Sequence, residues 1–109
     1  ARSKESQQAV IAMAKNSDQK TVASALHFLM TTDLRESLKQ VKTPLLLIAA
    51  QGAFTNEKDR LNASALYQQQ ISGVINAKLV VNSQVRHFIM WDDNKWLMTQ
   101  TDTFLKYVL

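Results

Sequence analysis

Cysteine is absent from the 109 residues, so the chain has neither a disulfide nor a thiol nucleophile. The absence of cysteine leaves the compartment open, with a cytoplasmic setting the weakly favoured expectation. Glycine occurs twice, at Gly52 and Gly73, and the two stand 21 residues apart. A backbone cradle for phosphate needs closely spaced glycines, so a nucleotide-binding glycine-rich loop is excluded. Proline occurs once, at Pro44. With so few breakers the chain consists of regular elements and short connections, without linker, repeat or low-complexity segment. The longest apolar run, Pro44 to Ala50, has seven residues, where a membrane-spanning helix takes about 20. The opening Ala1-Arg2-Ser3-Lys4 is polar and leads into no apolar secretory core, so no signal peptide is expected.

Charge of one sign is not concentrated anywhere either. Thirteen Lys and Arg against nine Asp and Glu leave a net charge of +4, but the basic residues are spread from Arg2 to Lys106 with no block or stripe. A nucleic-acid surface needs such a patch, so neither nucleic acid nor membrane is expected as a partner. No His/Asp/Glu group has metal-ligand spacing, and neither metal nor cofactor is expected.

What the chain does have is periodicity. Glu5 to Lys15 reads as a helix with Ala9, Val10, Met13 and Ala14 on one side. After the break at Asn16-Ser17-Asp18, a second helix runs from about Gln19 to Met30. Its Val22, Ala25, Leu26 and Leu29 recur at helical spacing and are expected to be buried, with His27 facing solvent. Asp33 is placed to cap a third helix, Leu34 to Val41, with Glu36 in the capping-box position. Thr43-Pro44 ends it. Leu45 to Ala50 is apolar at every position, as expected of a strand covered on both faces in a parallel sheet. Glu57 to Ser72 reads as a helix with Leu61 and Ala65 on one line and Leu66 beside it. Gly73 is placed to close it as a left-handed C-cap. Ala77 to Val81 is a second strand, so the two strands and the helix between them form a βαβ unit. Asn94 to Leu109 is the clearest helix, with Leu97, Thr101, Phe104 and Val108 as its core-facing stripe and Asp92 and Asp93 as N-capping residues. The fold class is α/β.

Between the second strand and the last helix lies Arg86-His87-Phe88-Ile89-Met90-Trp91-Asp92. Upstream stand Thr32-Asp33-Leu34-Arg35-Glu36-Ser37-Leu38, then Val41-Lys42-Thr43-Pro44-Leu45-Leu46-Leu47-Ile48, then Ala65-Leu66-Tyr67-Gln68-Gln69-Gln70; Phe104-Leu105 follows. In order and spacing these pieces resemble the C-terminal part of the α/β-hydrolase family: penultimate strand, helix, last strand, catalytic-histidine loop and last helix. The resemblance implies that residues 1–32 are cap-like helices and 33–109 the C-terminal part of a hydrolase core. A complete core needs roughly twice this length, so the resemblance also implies a piece of a longer serine-type hydrolase acting on an ester or related bond of a small-molecule substrate.

On that resemblance His87 is the general base of a serine nucleophile. Otherwise it is a packing or surface histidine. The family commonly places its triad acid in the loop after the penultimate strand. Here that loop, Gln51-Gly52-Ala53-Phe54-Thr55, holds no acid. Glu57 and Asp59 are the acid candidates, although both also suit the first turn of a helix, where the dipole favours a carboxylate. The Gly-x-Ser-x-Gly elbow is absent, and so is an oxyanion loop. The chain alone is therefore expected to be inactive. The alternative is a non-catalytic module acting through self-association. Phe88 to Trp91 are expected to plug the sheet edge. A two-stranded sheet with an open apolar edge implies a homo-oligomer.

Overall fold

The computed structural model describes residues 1–109 as a mixed α/β chain with six helices and a two-stranded parallel sheet. Helices α1 (Lys4–Asn16) and α2 (Gln19–Thr31) form an N-terminal pair, followed by the single turn α3 (Arg35–Leu38). Strand β1 (Leu45–Ala50), helix α4 (Glu57–Ile71) and strand β2 (Ala77–Asn82) form the central unit. The short α5 (Ile89–Asp92) and the long α6 (Asn94–Val108) close the chain.

The βαβ expectation is met. β1 and β2 pair in parallel with Leu45 opposite Ala77 and Ala50 opposite Asn82. Side chains supply most of the helix starts. Ser3 caps α1 through the Ser6 N–H, Asp18 caps α2 through the Thr21 N–H, and Asn56 caps α4 through the Asp59 N–H. Each satisfies an amide that has no partner inside its helix.

Several local expectations are corrected. The third helix is one turn long and not Leu34 to Val41. Asp33 accepts from the Arg35 N–H at 3.0 Å and holds the Arg35 guanidinium, while Glu36 pairs with Lys39 at 2.7 Å and completes no capping box. Gly73 is not a left-handed cap, because no glycine here has positive φ. α4 ends instead through right-handed Ser72, whose N–H bonds the Gln69 carbonyl. α4 also turns a different face inward from the one its leucines suggested. Ala63 and Ile71 are buried, and Arg60, Ser64 and Tyr67 are half-buried, at spacings of i, i+3, i+4, i+7 and i+11. Leu61 and Leu66 face outward. Small residues at 63 and 64 allow close approach to the sheet, and that packing outweighs the burial of two leucines.

The buried core is small. It consists of Ala49, Ala63, Ile71, Val74, Val85 and Ile89, with Gln51 the one buried polar residue. β1 is only half-covered apart from Ala49, so its two-sided apolar pattern is not fully buried within the chain. The stripe of α2 is exposed as well: Val22, Leu26 and Leu29 lie open to solvent, and α1 and α2 bury no residue. The α6 stripe is half-buried. The radius of gyration, 15.9 Å, exceeds the roughly 13 Å of a compact chain of about 100 residues.

This exposure has a measurable consequence. Leu26→Ser should lower stability by less than about 1 kcal/mol, whereas a buried leucine typically loses about 2–5 kcal/mol on truncation. The urea midpoint checks it, and a loss of about 2 kcal/mol or more would mean that the face is covered in solution.

Candidate functional site

Parallel strands bring two loops to one end of the sheet, and crevices at the carboxyl ends of such strands are where ligands sit in open α/β sheets. The loop after β1 begins at Gln51. Its buried side chain donates to the Arg60 carbonyl at 2.9 Å and to Ser64 Oγ at 2.6 Å, fastening the loop to α4. Its N–H continues the ladder to the Asn82 carbonyl at 2.9 Å, and the Gly52 N–H reaches the Val85 carbonyl at 2.7 Å. A Cβ at Gly52 would lie 2.6 Å from that same oxygen. Glycine is therefore required here by close backbone approach. Val85, the neighbour in this contact, is fully buried.

The loop after β2 is shaped by two carboxamide or carboxylate side chains. Asn82 Oδ1 accepts the Gln84 N–H at 2.8 Å, turning the chain out of the strand. Asp92 then gathers it. Its Oδ2 accepts the Arg86 N–H at 2.8 Å, and its Oδ1 accepts the Arg2 N–H at 2.6 Å. The Arg2 guanidinium donates to the Gln84 carbonyl at 2.9 Å and to the Asp92 carbonyl at 2.7 Å. The N-terminal arm is thus tied across the histidine loop. Partial burial of Asp92 raises its pKa. The N–H bonds from Arg86 and Arg2, with the N-terminal ammonium and the Arg2 charge, outweigh that and hold it below 3.8.

His87 stands on this loop, exposed, with its ring edge-on to Phe88 at 5.3 Å. Phe88 in turn stacks on Trp91 at 5.0 Å. Two grooves meet at His87. One, about 400 Å³, runs beside Leu47 to Ala50 and is closed by Ala53, Phe54, Tyr67 and Ile89. The other, about 460 Å³, lies toward α1 at Val10 and Ile11. The imidazole is accessible for proton exchange with a group held in either groove. No hydroxyl or carboxylate is hydrogen-bonded to it.

Neither acid candidate meets His87. Asp59 is engaged at the start of α4, where its Oδ2 accepts from Asn56 Nδ2 at 2.7 Å. Glu57 lies exposed in the same first turn, and its side chain makes no hydrogen bond. Of the expected N-caps, Asp93 holds the Trp96 N–H at 3.0 Å, whereas Asp92 is the loop anchor and not a cap. The plug expected from Phe88 to Trp91 reduces to Ile89; Met90 and Trp91 are exposed. The anchoring role of Asp92 was missed because the Asp-Asp doublet before a helix has one sufficient local explanation. Its distance of five residues from His87 was the available signal. The most depressed carboxyl lies elsewhere. The hydrogen bonds of Arg35 hold Asp33 at about 2, a local pair that marks no site.

No helix is long and apolar enough to cross a membrane. Against known proteins, no family model, curated protein or solved structure matches this chain.

Proposed function

We propose that the chain is the C-terminal part of an α/β-hydrolase-like fold and contributes the histidine of a serine-type site, while being inactive alone. The observation that carries this reading is the placement of His87. It follows a parallel βαβ unit, on the loop just past the carboxyl end of β2, beside the loop that follows β1. A general base belongs there, where a reacting group can approach from above the strand ends. On this reading α1 and α2 contribute to a cap, and the groove against Val10 and Ile11 is part of the substrate's surroundings.

Within the chain the proton has no nucleophile to leave and no carboxylate to steady the imidazole. The nucleophile, the oxyanion donors and the triad acid would come from a segment carrying a Gly-x-Ser-x-Gly elbow. Purified as it stands, the chain should turn over a simple activated ester no faster than its His87→Ala variant, and a serine-reactive phosphonate should label nothing. Stoichiometric labelling of any serine would overturn the expected inactivity. The hydrolase reading itself is tested on a longer protein containing this chain. It expects a single phosphonate-labelled serine whose labelling rate falls at least about a hundredfold in His87→Ala, the scale of a lost general base. Unchanged labelling would refute it.

A second reading is favoured by a specific observation, the absence of any acid at His87 together with the large apolar surface. The chain is then a non-catalytic module that acts through association.

A further inference from the structure

We propose that a second copy of this chain pairs with the open edge of β1, antiparallel and about a two-fold axis, giving a four-stranded sheet in the order β2–β1–β1–β2. The inference rests on the association reading and names its partner.

The first observation is the edge itself. The Leu45 N–H donates to the Asn76 carbonyl and the Gln51 N–H to the Asn82 carbonyl, both on the β2 side. Backbone groups alternate direction along a strand. Leu47 and Ala49 therefore face β2 as well, and Leu46, Ile48 and Ala50 turn N–H and C=O to the other side. No strand lies there. Unpaired edges of this kind are templates for strand addition unless charge, proline or a bulge protects them. Nothing protects this one: no charged residue occurs between Lys42 and Glu57, and Pro44 precedes the strand. β2 differs, since it carries an exposed lysine, Lys78, as its second residue, and the end of α6 borders its first residues through Phe104, Tyr107 and Val108.

The second observation is area. A folded monomer of 12.3 kDa has an accessible surface of about 6,100 Å². This chain exposes 8518 Å², an excess of roughly 2,400 Å² over that scaling. An obligate homodimer buries about 2,000–5,000 Å² in total, or about 1,000–2,500 Å² per copy. The excess is what one such interface removes.

Symmetry then sets the register. The same edge on two copies, related by a two-fold axis, can pair only antiparallel. With Ile48 on the axis, Ile48 faces its own counterpart and Leu46 faces Ala50 of the other copy. Each of these is a position with both backbone groups free, so all become hydrogen-bonded pairs.

The test is a mass and an exchange map. Light scattering over a concentration series should give about 25 kDa, twice the 12.3 kDa chain. Hydrogen exchange at the amides of Leu46, Ile48 and Ala50 should slow at least tenfold on going from the dilute to the dimeric sample. Ile48→Lys and Ile48→Glu place like charges opposite each other at the axis, and each should be a monomer. An equimolar mixture of the two should recover the dimer mass, which a variant that merely failed to fold would not do. Ile48→Pro removes the edge-facing N–H and no hydrogen bond to β2, and should also give a monomer, with its fold checked by circular dichroism. A monomer mass for the wild type would overturn both the association reading and the edge. A dimer in which those three amides exchange freely while α1 and α2 gain protection would show helix exchange and overturn the edge alone. Masses growing beyond the dimer would overturn the closed two-fold.

Discussion

Gly52→Ala should lower the melting temperature by roughly 10 °C or more, while Gly73→Ala should leave it nearly unchanged. The two glycines differ in what a methyl group would meet. At Gly52 the new Cβ would stand 2.6 Å from the Val85 carbonyl oxygen, 2.7 Å from its carbon and 3.0 Å from its nitrogen, all backbone atoms. The Val85 side chain is fully buried, so that backbone cannot withdraw without opening the core. Forced overpacking costs about 1–3 kcal/mol, and loss of the Gly52–Val85 hydrogen bond adds about 0.5–1.5 kcal/mol. For a domain of this size each kcal/mol is worth about 4–8 °C. At Gly73 the obstacle is the Lys39 side chain, with Cγ at 2.5 Å. Lys39 Cγ can clear it only through a change of χ1, which moves the whole side chain and gives up an exposed pair with Glu36, worth about 0.2–1 kcal/mol. Because Gly73 has ordinary negative φ, alanine also reduces the freedom of the unfolded chain, a gain of about 0.4–1 kcal/mol. Equal losses at the two positions in a calorimetric comparison would contradict the close approach of the two loops.

Asp92→Ala should loosen the histidine loop and release the N-terminal arm together, at a cost of about 1–3 kcal/mol. Two backbone N–H groups, those of Arg86 and Arg2, lose a charged acceptor at once. The cost stays at this scale because both residues are near solvent, which supplies a replacement partner. Hydrogen exchange should rise at Arg86 and through the first turn of α1. The same anchor should be sensitive to acid. The folded carboxyl titrates below its ordinary value of 3.8, so its contribution is complete above that value and is lost as pH falls through the lower folded one. Asp33 and Asp18 are also depressed, so a global unfolding curve would mix the three. Trp91, adjacent to Asp92, is the local probe once Trp96 is replaced by phenylalanine. In that background its fluorescence should change below pH 3.8 with Asp92 present and change less over that range in Asp92→Asn. Identical curves for the two would remove Asp92 from the role given to it.

The legible parts of this protein were local. The cap at Asp93, the proline boundary before β1 and the helical period of α6 depend on nearby residues, and each is found. The parallel pairing was legible too, because an apolar strand, an intervening helix and a second strand admit few arrangements. His87 was singled out from a pattern of pieces, and the structure sets it exposed on the loop after β2 without bringing Glu57 or Asp59 to it.

Burial and partnership were decided at the tertiary level. The apolar stripe Val22/Leu26/Leu29 has the period of a buried face, yet the chain leaves it exposed. Periodicity reports which residues share a face, whereas burial depends on whether another surface arrives. α4 turned inward on Ala63 and Ser64 because backbone proximity to the sheet, set by the shape of both elements, outweighed the hydrophobicity of Leu61 and Leu66. The role of Asp92 depends on Arg2, 90 residues away in sequence, and the need for glycine at position 52 depends on Val85, a contact across two loops. The amino-acid sequence by itself determined where the long helices and both strands begin, which positions can share a face and which chemistries are excluded, since those follow from short-range sterics, hydrogen bonding and composition. Only the tertiary structure decided which apolar faces are covered, which carboxylate meets which amide and which strand edge stays open, since those depend on distances between residues far apart along the chain.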